Sequence, residues 1–382
     1  MKEINAIIAA YEQLDFTKTQ AALATVIRVE GSSYRREGAR MLITSDGQWT
    51  GGISGGCLEG DALRKAHQVI FSRHPKVVTY NTLEDDPFQI GAGLGCRGII
   101  DVLIEPVDPE DEFNPVRFLK KCAGRREACA LVTVVRSMKD RPAAGDRYLL
   151  TGSGEESIRP GSAAFQEEYH RCALQVLRKG FSAQFETYDG AIVFTELIQP
   201  AIHLMVFGSN YDVLPLLEVG KTQGWKLTVV GDLKKFGKSV FGLADEVLPE
   251  NPEHRALQPG ARSAAVLMAH DYKTDLGNLK WLLPTAAPYI AMLGPRKRFR
   301  RILDDLLESG ITLTAADDHR LYAPAGLDIG ATTPEGIALS IAAEIQAFFE
   351  GREAGFLRNR NAPIYEQKGE DWGAPSRQPP PS

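Results

Sequence analysis

Ala22-Leu23-Ala24-Thr25-Val26-Ile27-Arg28 returns in modified form as Ala130-Leu131-Val132-Thr133-Val134-Val135-Arg136. A second pair follows in the same order, Gly38-Ala39-Arg40-Met41-Leu42-Ile43-Thr44 and Gly145-Asp146-Arg147-Tyr148-Leu149-Leu150-Thr151. All four runs are rich in apolar and β-branched residues and read as strands. A helical pattern comes after each pair, with Gln68-Val69 in one copy and Gln175-Val176 in the other. Strand-like segments close both copies, at 99–105 and 191–196. Repetition in a fixed order is the mark of an internal repeat, which decides the architecture. Residues 1–199 are therefore expected to form one α+β domain of two related halves, about 1–108 and 113–199.

Working outward, Ile4, Ile7, Ile8, Tyr11 and Leu14 recur at helical spacing before the first strand. Asp46-Gly47 reads as a two-residue hairpin turn between strands at 39–44 and 49–53. Leu58, Ala62, Leu63, Ala66, Val69 and Ile70 then fall on one helical face, and 76–80 reads as a further strand. Residues 200–351 change to alternating strand and helix, the pattern of a doubly wound, Rossmann-like parallel sheet. Strands are expected at 202–207, 226–230, 264–269 and 289–293, with helices at 299–308 and 334–349. Thr333, Pro334 and Glu335 supply an N-cap, a first-turn proline and a first-turn acid for the last of these. The fold class is thus α/β overall, and 352–382 is a polar, Pro-rich tail with little to order it.

Composition narrows the function. The 382 residues carry a net charge of −5, which leaves no basic footprint for nucleic acid. No run of 18 apolar residues is present, so no membrane span is expected. Lys2, Glu3, Glu12 and Asp15 break any secretory pattern at the start. Five cysteines without a C-x-x-C pair suit a reducing compartment, and a cytoplasmic protein is expected.

The halves differ in two loops that packing alone does not require. Ile53-Ser54-Gly55-Gly56-Cys57 leads into a helix in the first half, where the second has Ser157-Ile158-Arg159-Pro160-Gly161. Successive N–H groups and a helix dipole at Cys57 would favour an anion and a thiolate. The alternative is a small cysteine packed at a strand–helix corner. Cys96 and Arg97 lie in the second loop, Gly91 to Gly98, where the other half has the turn Tyr188-Asp189-Gly190. That loop suits a reactive thiol or a phosphate cradle, and an inert cysteine equally well. Cys122, Cys129 and Cys172 fall on element faces and read as packing residues. Ser32, Ser33, Arg35, Arg36 and Arg40 form a basic loop that is either a phosphate clamp or a solvated surface.

In the C-terminal part the first strand runs into Gly208-Ser209-Asn210-Tyr211-Asp212-Val213. A dinucleotide fingerprint would place its second and third small residues where Asn210 and Val213 stand. Asp232 follows the next strand near the place of a ribose-binding acid, displaced by Gly231. His270-Asp271, Gly294-Pro295-Arg296 and Gly326-Leu327-Asp328-Ile329-Gly330 also follow strands, where ligands gather in such sheets. His270 and Asp271 are candidates for acid–base or ligand-orienting work, with a structural histidine as the alternative.

Taken together, E-G-S-S-Y-R-R-E-G-A-R-M-L-I-T, G-G-I-S-G-G-C-L-E-G-D, G-L-G-C-R-G, M-A-H-D-Y, Y-I-A-M-L-G-P-R and A-P-A-G-L-D-I-G-A-T-T-P-E-G resemble the xanthine dehydrogenase accessory protein family, XdhC/CoxI. The resemblance implies a dimeric chaperone that holds molybdenum cofactor (molybdopterin), supports its sulfuration by a cysteine desulfurase, and delivers it to a xanthine dehydrogenase-type molybdenum hydroxylase. It makes Cys57 the residue expected to contact the cofactor or its sulfur, with Gly55, Gly56, Glu59, Cys96, Arg97 and Arg40 around it. Gly208, Asp232, His270, Gly294 and Asp328 are the corresponding expectations in the Rossmann-like part. An NAD(P)-dependent oxidoreductase is the competing reading. The length and cysteine pattern show no flavin, iron–sulfur or molybdopterin oxidoreductase machinery.

Overall fold

The computed structural model describes residues 1–82, 98–137, 142–152, 154–158, 163–188, 190–250, 257–361 and 364. The chain divides into two compact units, Glu3–Pro200 and Ala201–Glu366.

The first unit contains the repeat. Its first half runs α1 (Lys2–Glu12), β1 (Ala21–Gly31), β2 (Arg40–Thr44), β3 (Trp49–Gly51), α2 (Glu59–Ser72), β4 (Lys76–Asn81) and β5 (Gly98–Val107). After α3 (Pro115–Ala123) the second half runs β6 (Cys129–Arg136), β7 (Arg147–Thr151), β8 (Gly154–Ile158), α4 (Ala163–Lys179), β9 (Ala183–Glu186) and β10 (Ile192–Ile198). The two sheets have the same strand order, β3-β2-β1-β5-β4 and β8-β7-β6-β10-β9. The hairpin after β2 is longer than its Asp46-Gly47 pair suggests, because the Thr44 N–H donates to Gln48 O across Ser45, Asp46 and Gly47.

Strand periodicity explains the packing. In β1, Ala22, Ala24 and Val26 join Ala62, Ala66 and Val69 of α2. The alternate residue Leu23 joins Leu131 and Leu149 of the other half, and Ile27 joins Val135 and Phe194. Each central strand is covered on both faces, which is why the repeats read as continuous apolar runs.

Between the sheets lie two buried ion pairs that cross from one half to the other. Arg40 Nη1 donates to Glu196 Oε1 at 2.9 Å, and Nη2 donates to Oε2. Arg147 Nη2 donates to both carboxylate oxygens of Glu105, each at 2.5 Å. Arg40 and Arg147 occupy equivalent repeat positions on β2 and β7, and Glu105 and Glu196 lie on the equivalent strands β5 and β10. Each arginine also donates to the carbonyl two residues before it, Gly38 O at 2.7 Å and Gly145 O at 2.6 Å. A void of about 20 Å³ between these groups has room for one water.

The second unit is a six-stranded parallel sheet in the order β13-β12-β11-β14-β15-β16. Its elements are β11 (His203–Phe207), α5 (Val213–Gln223), β12 (Lys226–Gly231), α6 (Lys238–Leu243), β13 (Glu246–Pro249), β14 (Ser263–Leu267), α7 (Tyr272–Leu282), β15 (Tyr289–Met292), α8 (Arg296–Glu308), α9 (Ala315–Asp318), β16 (Leu321–Tyr322) and α10 (Pro334–Phe349). Counted within the unit, the order is 3-2-1-4-5-6, so the topological switch point falls between β11 and β14. Leu204, Val206, Leu227 and Val229 face α5 and α10, while Met205, Phe207, Ala265 and Leu267 face α7 and α8. Thr333 Oγ1 caps α10 by accepting the Gly336 N–H at 3.2 Å. The sequence reading missed β13 and β16, which are only four and two residues long.

Breaking one crossed pair strands a buried charge, which costs about 3–5 kcal/mol, whereas removing both partners together costs much less. Arg40→Leu is therefore expected to lower the urea midpoint strongly, and Arg40→Leu with Glu196→Leu to restore most of it. Equal losses in the single and double variants would contradict this.

Candidate functional site

Cys57 sits in a loop that the sequence builds against its own strand. Gly51 has φ +87°, and a Cβ there would lie 2.3 Å from Arg40 O, so only glycine passes. The Gly52 N–H then donates to the same carbonyl at 2.7 Å. Ile53 is fully buried and pins the loop to the core beneath β1 and α2. Ser54 turns its hydroxyl back over the following residues and accepts the N–H groups of Gly56, Cys57 and Leu58 at 3.2, 3.1 and 3.0 Å. That hydroxyl donates its proton to Glu59 Oε2.

Glu59, the first residue of α2, completes the network. Its Oε1 accepts the N–H groups of Ile53 at 3.2 Å and Ser54 at 2.8 Å, and Oε2 accepts that of Leu58 at 3.2 Å. Burial works against this carboxylate, but the Ser54 hydroxyl and the backbone donors outweigh it and hold its pKa below the usual range. The expected anion nest is thus formed, and its donors are satisfied by Ser54 and Glu59. Cys57 is half-buried, its side chain leaning on the apolar cluster under the sheet, while Gly55 and Gly56 are exposed beside it. Among the described residues, nothing lies within 4 Å of where a Gly56 Cβ would be.

The basic loop next to it is different from the expectation of a phosphate clamp. Arg40 is buried on Glu196 and does not face this loop's open side. Arg35 donates to Glu3 Oε2 at 2.5 Å, and Arg36 lies 3.7 Å from Glu37. Tyr34, just before them, is 68 % exposed, with its ring against Gly55. Cys96 and Arg97 lie outside the described residues. Cys122, Cys129 and Cys172 are buried, and burial pushes the Cys172 thiol up to about 12.

In the second unit four of the expected residues gather at the carboxyl ends of the strands. A Cβ on Gly208 would lie 2.5 Å from Met268 O, so the first turn after β11 presses on the end of β14. Ser209 Oγ accepts the Asp232 N–H at 2.7 Å, while the Asp232 carboxylate caps the next turn through the Lys234 N–H at 3.0 Å. His270 takes a left-handed backbone, φ +58°, rare for a residue with a side chain. Its Nε2 meets Asp212 Oδ2 at 2.6 Å. Asp271, the other candidate for acid–base or ligand-orienting work, caps α7 through the Thr274 N–H at 2.9 Å.

Below this pair, fully buried Asp275 accepts the Ala269 N–H at 3.2 Å and a hydrogen bond from Arg298 Nη2. Gly294, φ +128°, stands beside the Arg298 side chain. Asp328 lies exposed on the β16–α10 loop. The sequence reading missed Ser54, Tyr34 and the Asp212–His270 pair. Ser54 was legible in principle as a hydroxyl residue just before a helix start.

No group of three His, Cys, Asp or Glu suited to a metal occurs among the described residues. Nor is any helix among them long and apolar enough to cross a membrane.

A duplicated two-sheet unit that carries a glycine-bordered cysteine, followed by a Rossmann-like unit, defines the class of protein. The family model described as the XdhC Rossmann domain matches residues 204–345, and that of the XdhC and CoxI family matches 17–81. The chain belongs to the XdhC and CoxI family. A Bacillus subtilis protein named as a probable xanthine dehydrogenase subunit is 29% identical over 85% of this chain and 92% of its own length. The Escherichia coli molybdenum cofactor insertion chaperone PaoD is 22% identical over 85% of this chain and 82% of its own. A crystal structure titled as a xanthine dehydrogenase from Bacillus halodurans superposes with a TM-score of 0.72 at 29% identity, covering 91% of this chain and 97% of that one.

Two outcomes test this geometry. Ser54→Ala removes the acceptor of the Gly56 and Cys57 N–H groups, whereas Leu58 keeps Glu59 Oε2, so amide exchange at Gly56 and Cys57 should accelerate at least tenfold while β1 stays protected. Unchanged exchange there would contradict the network. Burial, outweighing the Ala269 N–H, Arg298 and His270, raises Asp275 from 3.8 to about 6. The folded chain therefore keeps a proton that the unfolded chain has lost, and this contribution is full below about pH 4 and lost as pH rises to 6. Relative to Asp275→Asn, the stability of the wild type should fall across that window in denaturant titrations and stay level above it. A parallel pair of pH profiles would contradict the assignment.

Proposed function

We propose that this chain is an accessory protein that takes up molybdenum cofactor, protects it and inserts it into a xanthine dehydrogenase-type molybdenum hydroxylase. Membership of the XdhC and CoxI family supports this, as does the likeness to a relative named as a molybdenum cofactor insertion chaperone. In this reading the cofactor is cargo, and Cys57 is the residue that meets its molybdenum or the sulfur it carries. The observation that carries the reading is the presentation of Cys57. A half-buried sulfur stands on a loop fixed by seven hydrogen bonds to Ser54 and Glu59, with two exposed glycines at its side.

The donor set fits the metal end of the cargo. Soft thiolate sulfur suits molybdenum and sulfur-bearing species better than hard oxygen ligands would. Fixing the loop beforehand removes the ordering cost from binding, since the backbone around Cys57 does not reorganise. The negative Glu59 carboxylate fills the donors that a phosphate would need, so the cofactor's phosphate end is held outside the loop's own N–H cluster. In the same proposal a cysteine desulfurase supplies the sulfur for sulfuration, and the chain works in the cytoplasm as a homodimer.

A second reading, an NAD(P)-dependent oxidoreductase, rests on the strand order of the second unit and on Asp232 at the end of β12. The switch point argues against it. Asn210 replaces the glycine that admits a pyrophosphate, and Asp212 sets a carboxylate at the start of α5.

Apo protein titrated anaerobically with molybdopterin should bind it, and Cys57→Ala should weaken binding at least fivefold. Undiminished affinity in that variant would remove Cys57 from the site. NADH and NADPH titrated against tryptophan fluorescence should give no saturable micromolar binding. Such binding would favour the oxidoreductase.

A further inference from the structure

We infer that the exposed ring of Tyr34 is the platform on which the flat ring system of the cofactor stacks, beside Cys57. The inference rests on the molybdopterin reading above and adds the residue that recognises the organic part of the cargo.

Tyr34 belongs to the loop between β1 and β2, whose charged residues and Ser33 are spent on the fold. Ser33 is buried, Arg35 is bound to Glu3, Arg36 is beside Glu37, and Arg40 is bound to Glu196. Ser32 and Tyr34 are the exposed residues of this loop, and Tyr34, 68 % exposed, is its one large apolar side chain. Single exposed aromatics are ordinary on protein surfaces and need no explanation by themselves. What sets this one apart is its seat. A Cβ on Gly55 would lie in ordinary contact with Tyr34 Cδ1 at 3.5 Å but only 3.3 Å from Cγ, so the ring would have to shift by a few tenths of an ångström. The absence of a side chain at Gly55 lets the ring lie against the loop backbone, two residues from Cys57.

The polar accounting points the same way. The N–H groups of Ile53, Ser54, Gly56, Cys57 and Leu58 already have acceptors in Ser54 or Glu59. The cations of the neighbouring loop face carboxylates. Among the described residues, this corner therefore offers a ligand little backbone or guanidinium recognition. It offers a sulfur atom and an aromatic ring held in place against glycine. A planar heterocycle stacks on such a ring through its π-face, and a rigid ring loses little entropy in doing so. A pterin attached to the group that meets Cys57 is a cargo of that shape.

The test uses the full-length apo chain and molybdopterin released anaerobically from a purified molybdoenzyme. Affinities are measured for wild type, Tyr34→Phe, Tyr34→Leu, Tyr34→Ala and Cys57→Ser, each checked for an unchanged melting temperature. The pterin absorption band is followed in parallel, because stacking shifts it and a merely structural role of Tyr34 would not. Tyr34→Phe should bind as wild type with the same band shift. Tyr34→Leu and Tyr34→Ala should bind at least fivefold more weakly and lose the shift. Wild-type affinity and band shift in Tyr34→Ala, with weakened binding in Cys57→Ser, would overturn the platform and leave the cofactor reading standing. No molybdopterin binding by the wild type would overturn both.

Discussion

The crossed Arg40–Glu196 and Arg147–Glu105 pairs are the constraint on which the first unit depends. Four charges are removed from water at the junction of two sheets, and each forms its buried ion pair with a residue of the other half. Neither half satisfies its own arginine or its own glutamate, so the halves are committed to one arrangement face to face. Gly38 and Gly145 mark how close that arrangement is. A Cβ at either would lie 2.7 Å from Glu196 Oε1 or 3.1 Å from Glu105 Oε1.

The same residue links this junction to the cysteine loop. The Arg40 side chain is anchored across the interface, its N–H donates to Glu3 Oε1 at 2.9 Å, and its carbonyl accepts the Gly52 N–H at 2.7 Å. Gly51 packs on that carbonyl, and the chain then enters the Ser54–Glu59 network. The loop bearing Cys57 is thus built outward from a buried charge pair. It consumes its own polar groups as it goes, and what reaches the surface is sulfur, glycine and the Tyr34 ring.

Much of the fold was legible because it rests on local pattern. The paired heptapeptides announced two like sheets, and Thr333-Pro334-Glu335 marked the start of α10 at the residue where it begins. Short β13 and β16 carried too few residues for a periodicity to register. The site was less legible, since its key facts are contacts between residues distant in the chain. Arg40 reads as a surface cation until Glu196, 156 residues on, is seen to close on it. His270 and Asp271 read as neighbouring polar candidates, but the helix start claims Asp271 and the fold brings Asp212 to His270 from the β11–α5 turn. The glycines pointed to a loop in which successive backbone N–H groups turn inward together. They did not reveal that a serine and a glutamate of the same loop would use those donors.

The most direct test is to isolate the chain without oxygen from cells that make molybdenum cofactor, and to weigh it intact by native mass spectrometry alongside metal analysis. The account predicts a population carrying one cofactor mass and molybdenum in the wild type, and its loss in Cys57→Ser at equal folded yield. A Cys57→Ser chain that carries the same cofactor load as the wild type would contradict it.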